Sequence, residues 1–517
     1  MPQTNPVILI AFGEYDHLGA GYLSSVLNAE GFETRMIDFR YDSETILFNL
    51  RRHCPLIVGF SVIFDNHISE FAGLARVLRK GGITCHFTAG GYYASLHPDE
   101  LFNLIPELDS IVRFEGEDTF LDLVRSLNEG GDWKHVQSLA YREGGEVVKT
   151  PLRPLVKDLD SYPFPSRRAP MNYVAGRKFA TILAGRGCNY DCSFCNTRQF
   201  YMTPGGPQKR IRRPGMVVSE IEQLYHDRGC TVFLFQDDDF PMRSAGGNEW
   251  IMSFCNELQK RGLHTKILWK INCRPDEIDS ELFAVLKQCG LFLVFIGLED
   301  GSDTGLKRLN KKMTVKESLA GIDTLKGLGI GFDYGFMLFQ PDTTYESLSI
   351  NLDFLRKICA DGYITLTFLK LMPNFDTRVE KELREQGRLK ESPGYLDYDF
   401  STQSLNDLYT TVITCFGHWI IDAHGLANIS KWVRNYFLVH DHFGTSDPDM
   451  EKRKQRFRET VAVSNKFMLD TLSELFRLFE TEEYLKNGKG LIDGIRSDIG
   501  RRHEYWCREV KECMYNG

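Results

Sequence analysis

Three cysteines fall within eight residues in Cys188-Asn189-Tyr190-Asp191-Cys192-Ser193-Phe194-Cys195, and the next cysteine is Cys230. The stretch is preceded by Thr181-Ile182-Leu183-Ala184-Gly185-Arg186-Gly187, an apolar run entering a glycine turn, which reads as a strand delivering a loop at its end. Three thiolates suit three irons of a cubane iron–sulfur cluster, and the fourth iron then stays open to a small molecule. A structural zinc site would show four Cys/His ligands in paired knuckles, and no matching second pair is visible. A disulfide framework fits neither the length nor the odd total of 13 cysteines. Three buried structural cysteines would also explain the composition, but the spacing and the aromatic before the last cysteine argue against coincidence. Cys188, Cys192 and Cys195 are therefore the candidate metal ligands.

With 517 residues, 42% of them hydrophobic and 26% charged, the chain has room for about three globular domains. A net charge of −8 supplies no general attraction to nucleic acid or to an anionic membrane. The basic run Lys209-Arg210-Ile211-Arg212-Arg213 reads as a solvated face. The first residues lack a charged, apolar signal pattern, and no apolar run reaches membrane-spanning length. Thiol-rich composition without an export signal points to a reducing cytoplasm. No internal repeat or low-complexity segment stands out.

Residues 7 to about 130 alternate strand and helix patterns. Strands are expected at Val7–Ala11, Thr34–Asp38, Leu56–Ser61, Thr84–Ala89 and Ser110–Phe114. Helices are expected between them, one carrying Tyr22, Leu23, Val26 and Leu27, another Phe71, Leu74, Ala75 and Leu78. This spacing predicts a parallel, doubly wound, Rossmann-like domain over 1–140, with ligands at the carboxyl ends of its strands. The first turn lacks G-x-G-x-x-G, so recognition of nicotinamide or flavin is unsupported. Residues 141–178 read as a connector rich in proline, from Pro151 to Pro170. Over 179–384 the alternation resumes, with strands expected at Phe179–Ala184, Thr231–Gln236, Lys266–Asn272, Phe292–Gly297, Gly331–Phe339 and Thr365–Leu371. Six strand–helix units predict a partial (β/α)6 barrel, short of the eight that close one. Residues 385–517 read as a mostly helical domain in which Trp419, Trp432, Tyr436 and Phe437 form an aromatic group more typical of core than of a pocket. His440, Asp441 and His442 have metal-like identities, but adjacent residues rarely share a site.

The cysteine stretch resembles the cluster motif of radical S-adenosylmethionine (SAM) enzymes. That resemblance implies that the free iron chelates the amine and carboxylate of SAM, and that Phe194 lies near the adenine. It extends to Ile271–Thr314, including Leu309-Asn310-Lys311. In Gln236-Asp237-Asp238-Asp239, the favoured acceptors for the SAM ammonium are Asp238 and Asp239. Arg274 could grip a carboxylate in bidentate fashion. Glu299 matches a family position associated with SAM, plausibly through ribose hydroxyls. One departure lies at Gln340-Pro341-Asp342, where the family commonly has glycine after the proline.

The segment before the barrel resembles the cobalamin-binding domain found upstream of many radical SAM domains. Gly90-Gly91 with His97-Pro98, and Glu115-Gly116-Glu117, carry this likeness, and Leu159–Pro165 resembles the linker of the same group. The two glycines are expected to let the corrin or its nucleotide tail approach the backbone. Members with a lower axial histidine use D-x-H-x-x-G, whereas Asp16 and His17 are adjacent here and Ala20 stands three after His17. His17 is therefore read as a solvated loop residue, and the lower cobalt face is expected to lack a histidine.

The resemblance implies a cobalamin-dependent radical SAM enzyme with a 4Fe-4S cluster, SAM and cobalamin, methylating an unactivated carbon of a small biosynthetic metabolite. An external reductant such as flavodoxin or ferredoxin would supply electrons. No acid, base or nucleophile is assigned. Ring rearrangement, oxidative cyclisation and sulfur insertion are alternatives within the family, and a non-catalytic cobalamin or iron–sulfur sensor is one outside it.

Overall fold

The computed structural model describes residues 5–515 apart from 14–15, 64–66, 168–171, 243–247, 393, 445–447 and 482. Glu14 and Tyr15 of the first loop and Pro170 of the connector therefore lie outside the described residues. In the N-terminal sheet, β1 (Val7–Ala11), β2 (Thr34–Asp38), β3 (Ile57–Ser61), β4 (His86–Gly90) and β5 (Ser110–Val112) run parallel in the order β2-β1-β3-β4-β5. β6 (Leu139–Glu143) and β7 (Glu146–Lys149) continue it antiparallel. Period-2 alternation sends Ile8 and Ile10 of β1 into one apolar core and Val7, Leu9 and Ala11 into another. Both faces are thus covered, as a doubly wound sheet requires. β5 stops short of the expected Phe114 because that residue takes a left-handed φ of 65° and donates its N–H to Ser95 Oγ at 2.6 Å.

The second sheet opens with the hairpin β8 (Asn172–Val174) and β9 (Arg177–Ile182). A small ribbon of β10 (Gly185–Arg186) and β11 (Arg210–Ile211) stands beside it. β12 (Val232–Phe235), β13 (Leu268–Cys273), β14 (Leu291–Glu299), β15 (Gly331–Phe339) and β16 (Leu369–Lys370) complete the order β16-β15-β14-β13-β12-β9-β8. β9 and β12 to β16 are six parallel strands forming an open partial barrel. Ile182, Phe235, Trp269, Ile271 and Ile296 face the surrounding helices, where Trp269 packs against Phe254 at 5.4 Å between ring centres. β16 is shorter than expected. The N–H groups of Leu366 and Thr367 are taken by Asn465 Oδ1 at 2.8 Å and Tyr334 Oη at 3.0 Å instead of by a strand partner.

The C-terminal region is built on helices Gln403–Ile420, Leu426–Phe443, Met450–Glu480 and Glu483–Glu512, with one hairpin of β17 (Leu389–Ser392) and β18 (Tyr395–Tyr398) that the sequence pattern did not suggest. Helix Leu426–Phe443 packs beneath the barrel. Its Arg434 donates to Phe332 O at 2.6 Å and Asp333 Oδ1 at 2.9 Å. Trp419 and Phe437 are core residues, whereas Trp432 is 49% exposed.

The two sheets are joined by buried ion pairs. Arg186 Nη1 meets Glu115 Oε1 at 3.1 Å and its Nη2 meets Glu117 Oε1 at 2.6 Å, while Arg210 grips both oxygens of Glu115 at 2.7 Å. Arg167 similarly bridges Asp16 and Glu220. Removing one partner of such a pair leaves a buried charge uncompensated. Arg186→Met should destabilise the protein by about 3–5 kcal/mol in urea unfolding. Adding Glu117→Gln should recover part of that loss, because the stranded carboxylate is then neutral.

Candidate active site

The cysteine loop leaves β10 through Gly187, whose φ is +86° and whose absent Cβ would lie 2.0 Å from Gln208 O, so only glycine fits. Gln208 Nε2 donates to Cys188 O at 2.6 Å, and Cys195 N donates to Cys192 O at 3.2 Å. From the other side, Ser193 N donates to Leu309 O at 3.0 Å, and Asn374 Nδ2 donates to Phe194 O at 2.9 Å. Asn310, in a left-handed conformation at φ 53°, and Arg378 both donate to Asp191 O. All three thiols are free and half-buried, and Phe194 packs against the main core. Burial pushes the Cys188 thiol up to about 12 and raises that of Cys192, against which Lys311 acts. Among the described residues no three His, Cys, Asp or Glu side chains converge on a single ion. Ligands of a cubane each take a different iron, so a loop presenting three separate thiols fits the cluster.

The strand ends supply the charges around this loop. Asp237 is 1% exposed and accepts the N–H groups of Ala184 at 3.1 Å and Gly185 at 2.6 Å, so it stitches the end of β12 to that of β9. Burial raises its carboxyl to about 7. Asp238 accepts from Gly187 N at 3.1 Å and bonds Tyr201, and Asp239 is paired with Lys209. Arg274 binds Asp276 through Nε at 2.9 Å and Lys311 O through Nη2, while its guanidinium lies 4.0 Å from the Tyr190 ring centre. Its Nη1 is buried without a hydrogen-bond partner, a donor available to a carboxylate. Glu299 follows a bulge in β14 at φ 64°, with Oε1 3.3 Å from Lys311 Nζ. Asp239 acts electrostatically on Cys188, and Arg274 and Glu299 act on Cys192, so these residues surround the loop together. Glu277 was not anticipated. It accepts from Tyr190 Oη at 2.7 Å, and burial raises its carboxyl to about 7.

A cavity of about 390 Å³ opens at the carboxyl ends of β1, β3 and β4 and is closed on its far side by the barrel. Gly90, Gly91 and Glu115-Gly116-Glu117 line it from the first sheet, and Gly185, Gln236 and Asp238 from the second. Tyr92 stacks on Phe200 across this junction, ring centres 4.1 Å apart and 17° from parallel. The carboxylates of Glu115 and Glu117 are engaged by Arg186 and Arg210, and Arg186 lines the same cavity. Gly91 has φ +124°, and its absent Cβ would lie 2.3 Å from Val62 O. The protein's own backbone therefore already requires glycine here, at a position that also lines the cavity. His17 also departs from expectation. It caps helix Leu18–Ala29 by accepting Ala20 N at Nδ1, 3.0 Å, and places Nε2 3.0 Å from Ser61 Oγ. Burial lowers its pKa, and it lines the cavity instead of standing in solvent.

Comparison with known proteins matches the model of the radical SAM superfamily to residues 182–355 and that of the B12 binding domain to residues 5–124. An uncharacterized methyltransferase of Pyrococcus horikoshii is 27% identical over 350 residues, 66% of this chain and 74% of that protein. The anaerobic magnesium-protoporphyrin IX monomethyl ester cyclase of Cereibacter sphaeroides is 30% identical over 350 residues, 65% of this chain, which spans only 55% of that cyclase. The structure of the cobalamin-dependent SAM radical enzyme OxsB, with aqua-cobalamin and SAM bound, shares the fold. Its TM-score is 0.72 at 19% identity, over 98% of this chain and 80% of that one. No helix among the described residues is long and apolar enough to cross a membrane.

Cys188→Ala, Cys192→Ala and Cys195→Ala should each lose the cluster on anaerobic reconstitution, read as iron and sulfide content. Cys54→Ala, at an exposed thiol remote from the loop, should keep it. Gly91→Ala should cost at least roughly 1–3 kcal/mol from backbone strain, with the clash against Val62 O added to it, read by thermal unfolding.

Proposed function

We propose that this chain, which belongs to the cobalamin-dependent radical SAM enzymes, methylates an unactivated carbon of a small-molecule substrate. The observation that carries this reading is the shared cavity. A group seated on Gly90, Gly91 and Gly116 faces Gln236 and Asp238 at the barrel mouth, beside the cysteine loop. The named methyltransferase among its relatives, matched over 74% of its length, supports the same reaction.

In this reading Cys188, Cys192 and Cys195 hold the 4Fe-4S cluster. SAM is held by Arg274, whose partnerless Nη1 donates to its carboxylate, by Glu299 accepting hydroxyl hydrogens, and by Asp238 and Asp239 near its ammonium. Phe194 covers its adenine. Gly90, Gly91, Glu115, Gly116 and Glu117 cradle cobalamin, the two glutamates with their carboxylates paired to Arg186 and Arg210. When bound, cluster and SAM supply a carbon-centred radical and cobalamin a transferable methyl group. The chain's own part is placement: Arg186 fixes the cradle against the loop, and the Tyr92–Phe200 stack closes the junction to water.

The domains divide at 140, 178 and 384 in this reading. Electrons come from a flavodoxin or ferredoxin. The thirteen free cysteines support a reducing, cytoplasmic setting, and nothing in the charge pattern favours a nucleic-acid partner. The relative named as a cyclase favours a second reading, oxidative ring closure. The two separate without the natural substrate. Reduced holoenzyme given SAM should form both deoxyadenosine and S-adenosylhomocysteine, the latter only where the SAM methyl is transferred. Deoxyadenosine without S-adenosylhomocysteine would move the assignment to cyclisation, and neither product, with an intact cluster, to a sensor.

A further inference from the structure

The concave face of the barrel carries a site that the cofactor residues do not use. Along β13, Trp269 and Ile271 pack toward the helices, so period-2 alternation puts Lys270 and Asn272 on the opposite, inner face. Asn272 stands beside Phe295 of β14, and Phe295 beside Asp333 of β15, forming one row across three strands. Phe295 is 40% exposed in mid-strand, although Val294 and Ile296 on either side are fully buried. The next row holds Gly297 and Gly335, and the absent Cβ of Gly297 makes way for the Glu299–Lys311 pair, whose Oε1 and Nζ lie 2.5 Å and 3.0 Å from that position. The Cβ position of Gly335 lies 3.5 Å from Phe295 Cζ and 3.3 Å from Glu299 Oε2. The exposed ring and the Glu299 carboxylate thus flank Gly335 from either side.

Lys270 differs from other enclosed lysines of the barrel. Lys209, Lys311 and Lys370 are each paired with a carboxylate, from Asp239, Glu299 and Asp397. Lys270 donates to the amide oxygen of Asn272, and among the described residues no carboxylate lies within ion-pair distance of it. The acids nearest in effect are committed elsewhere: Asp333 to Arg434 at 2.9 Å, Asp237 to two backbone N–H groups. Asn272 is itself anchored, its Nδ2 donating to Asp237 O at 3.0 Å, so it fixes the ammonium in place. The ammonium lies 5.9 Å from the Phe295 ring centre. Burial lowers its pKa only to about 8, so it remains largely cationic at neutral pH. A half-buried cation without a counter-charge is costly, and an incoming anion would offset that cost.

We propose that the substrate of the reaction argued above carries a carboxylate or phosphate that pairs with Lys270 while its apolar body lies on Phe295. The inference rests on that reading for the identity of the barrel as the reaction chamber. A single ammonium does not distinguish the two oxyanions, since it acts as a point charge without a fork geometry. An amine-bearing substrate is disfavoured by the same charge.

Binding of phenylpropionate, phenyl phosphate, phenylpropanol and phenylpropylamine to the holoenzyme, followed by ligand-observed NMR, tests this directly. The acids should bind roughly tenfold tighter than the alcohol and amine, as one charge-assisted hydrogen bond allows. The better of the two acids identifies the oxyanion. Lys270→Met should erase the preference and Lys270→Arg should keep it, with cofactor content read by absorbance as the check on folding. Phe295→Ala should weaken all the bound probes. Equal binding of acid and alcohol, or an acid preference that survives Lys270→Met, would overturn the proposal. Because no turnover is involved, a retained acid preference with no S-adenosylhomocysteine formed would leave this site standing and sink the methylation reading.

Discussion

The buried pairing of Arg186 with Glu115 and Glu117 is the constraint on which the site depends. Arg186 lies in the glycine turn that launches the cysteine loop, and the two glutamates flank the glycine at the end of the first sheet. One guanidinium therefore sets the distance between the cysteine loop and the Glu115–Glu117 side of the cavity. Burying three charges brings no assured stability, since desolvation offsets much of the attraction. What the arrangement provides is a fixed register between two sheets that share no strand. Arg210 reinforces it from the partner strand of the same ribbon, so both strands of the β10–β11 ribbon are tied to Glu115.

Three consecutive aspartates at the end of β12 show how one strand terminus divides its work. Asp237 turns inward and binds backbone, holding neighbouring strand ends together. Asp238 points to the loop and the cavity, accepting from Gly187 and Tyr201. Asp239 is neutralised by Lys209, the residue before β11. Identical side chains meet three environments because the chain leaves its strand and turns.

The features legible in the sequence were those with a period or a spacing. Alternating apolar strands and amphipathic helices gave the doubly wound sheet and the open barrel, and the cysteine spacing located the loop. Partnerships across the chain were not legible. Glu115 and Glu117 looked like cofactor residues because their loop was recognisable, but their carboxylates bind arginines some 70 to 95 positions away. His17 looked solvated because its neighbours are polar, yet Ser61 from another strand end satisfies its ring. Gly91 was legible as a special glycine, but its crowding by Val62 O was not. Lys270 did leave a trace. It is a charge inside the otherwise apolar Ile267-Leu268-Trp269-Lys270-Ile271, and a strand tolerates that only on a face open to solvent or a ligand.

The electrostatics around the loop follow from the same economy of burial. Enclosure raises the thiols of Cys188 and Cys192, so forming thiolates there without compensation is unfavourable. Lys209, Arg274 and Lys311 act in the opposite sense, and each is also held by an acid: Asp239, Asp276 and Glu299. The cations are thereby oriented before any ligand arrives, and the ring of charge around the cysteines stays close to neutral. Because metal ligands must be deprotonated, iron binding and thiol ionisation are linked events. Burial opposes ionisation of Cys188 and Cys192, and the paired cations act against that opposition. Raised thiols of this kind are poor free nucleophiles, which suits ligation better than reactivity on their own.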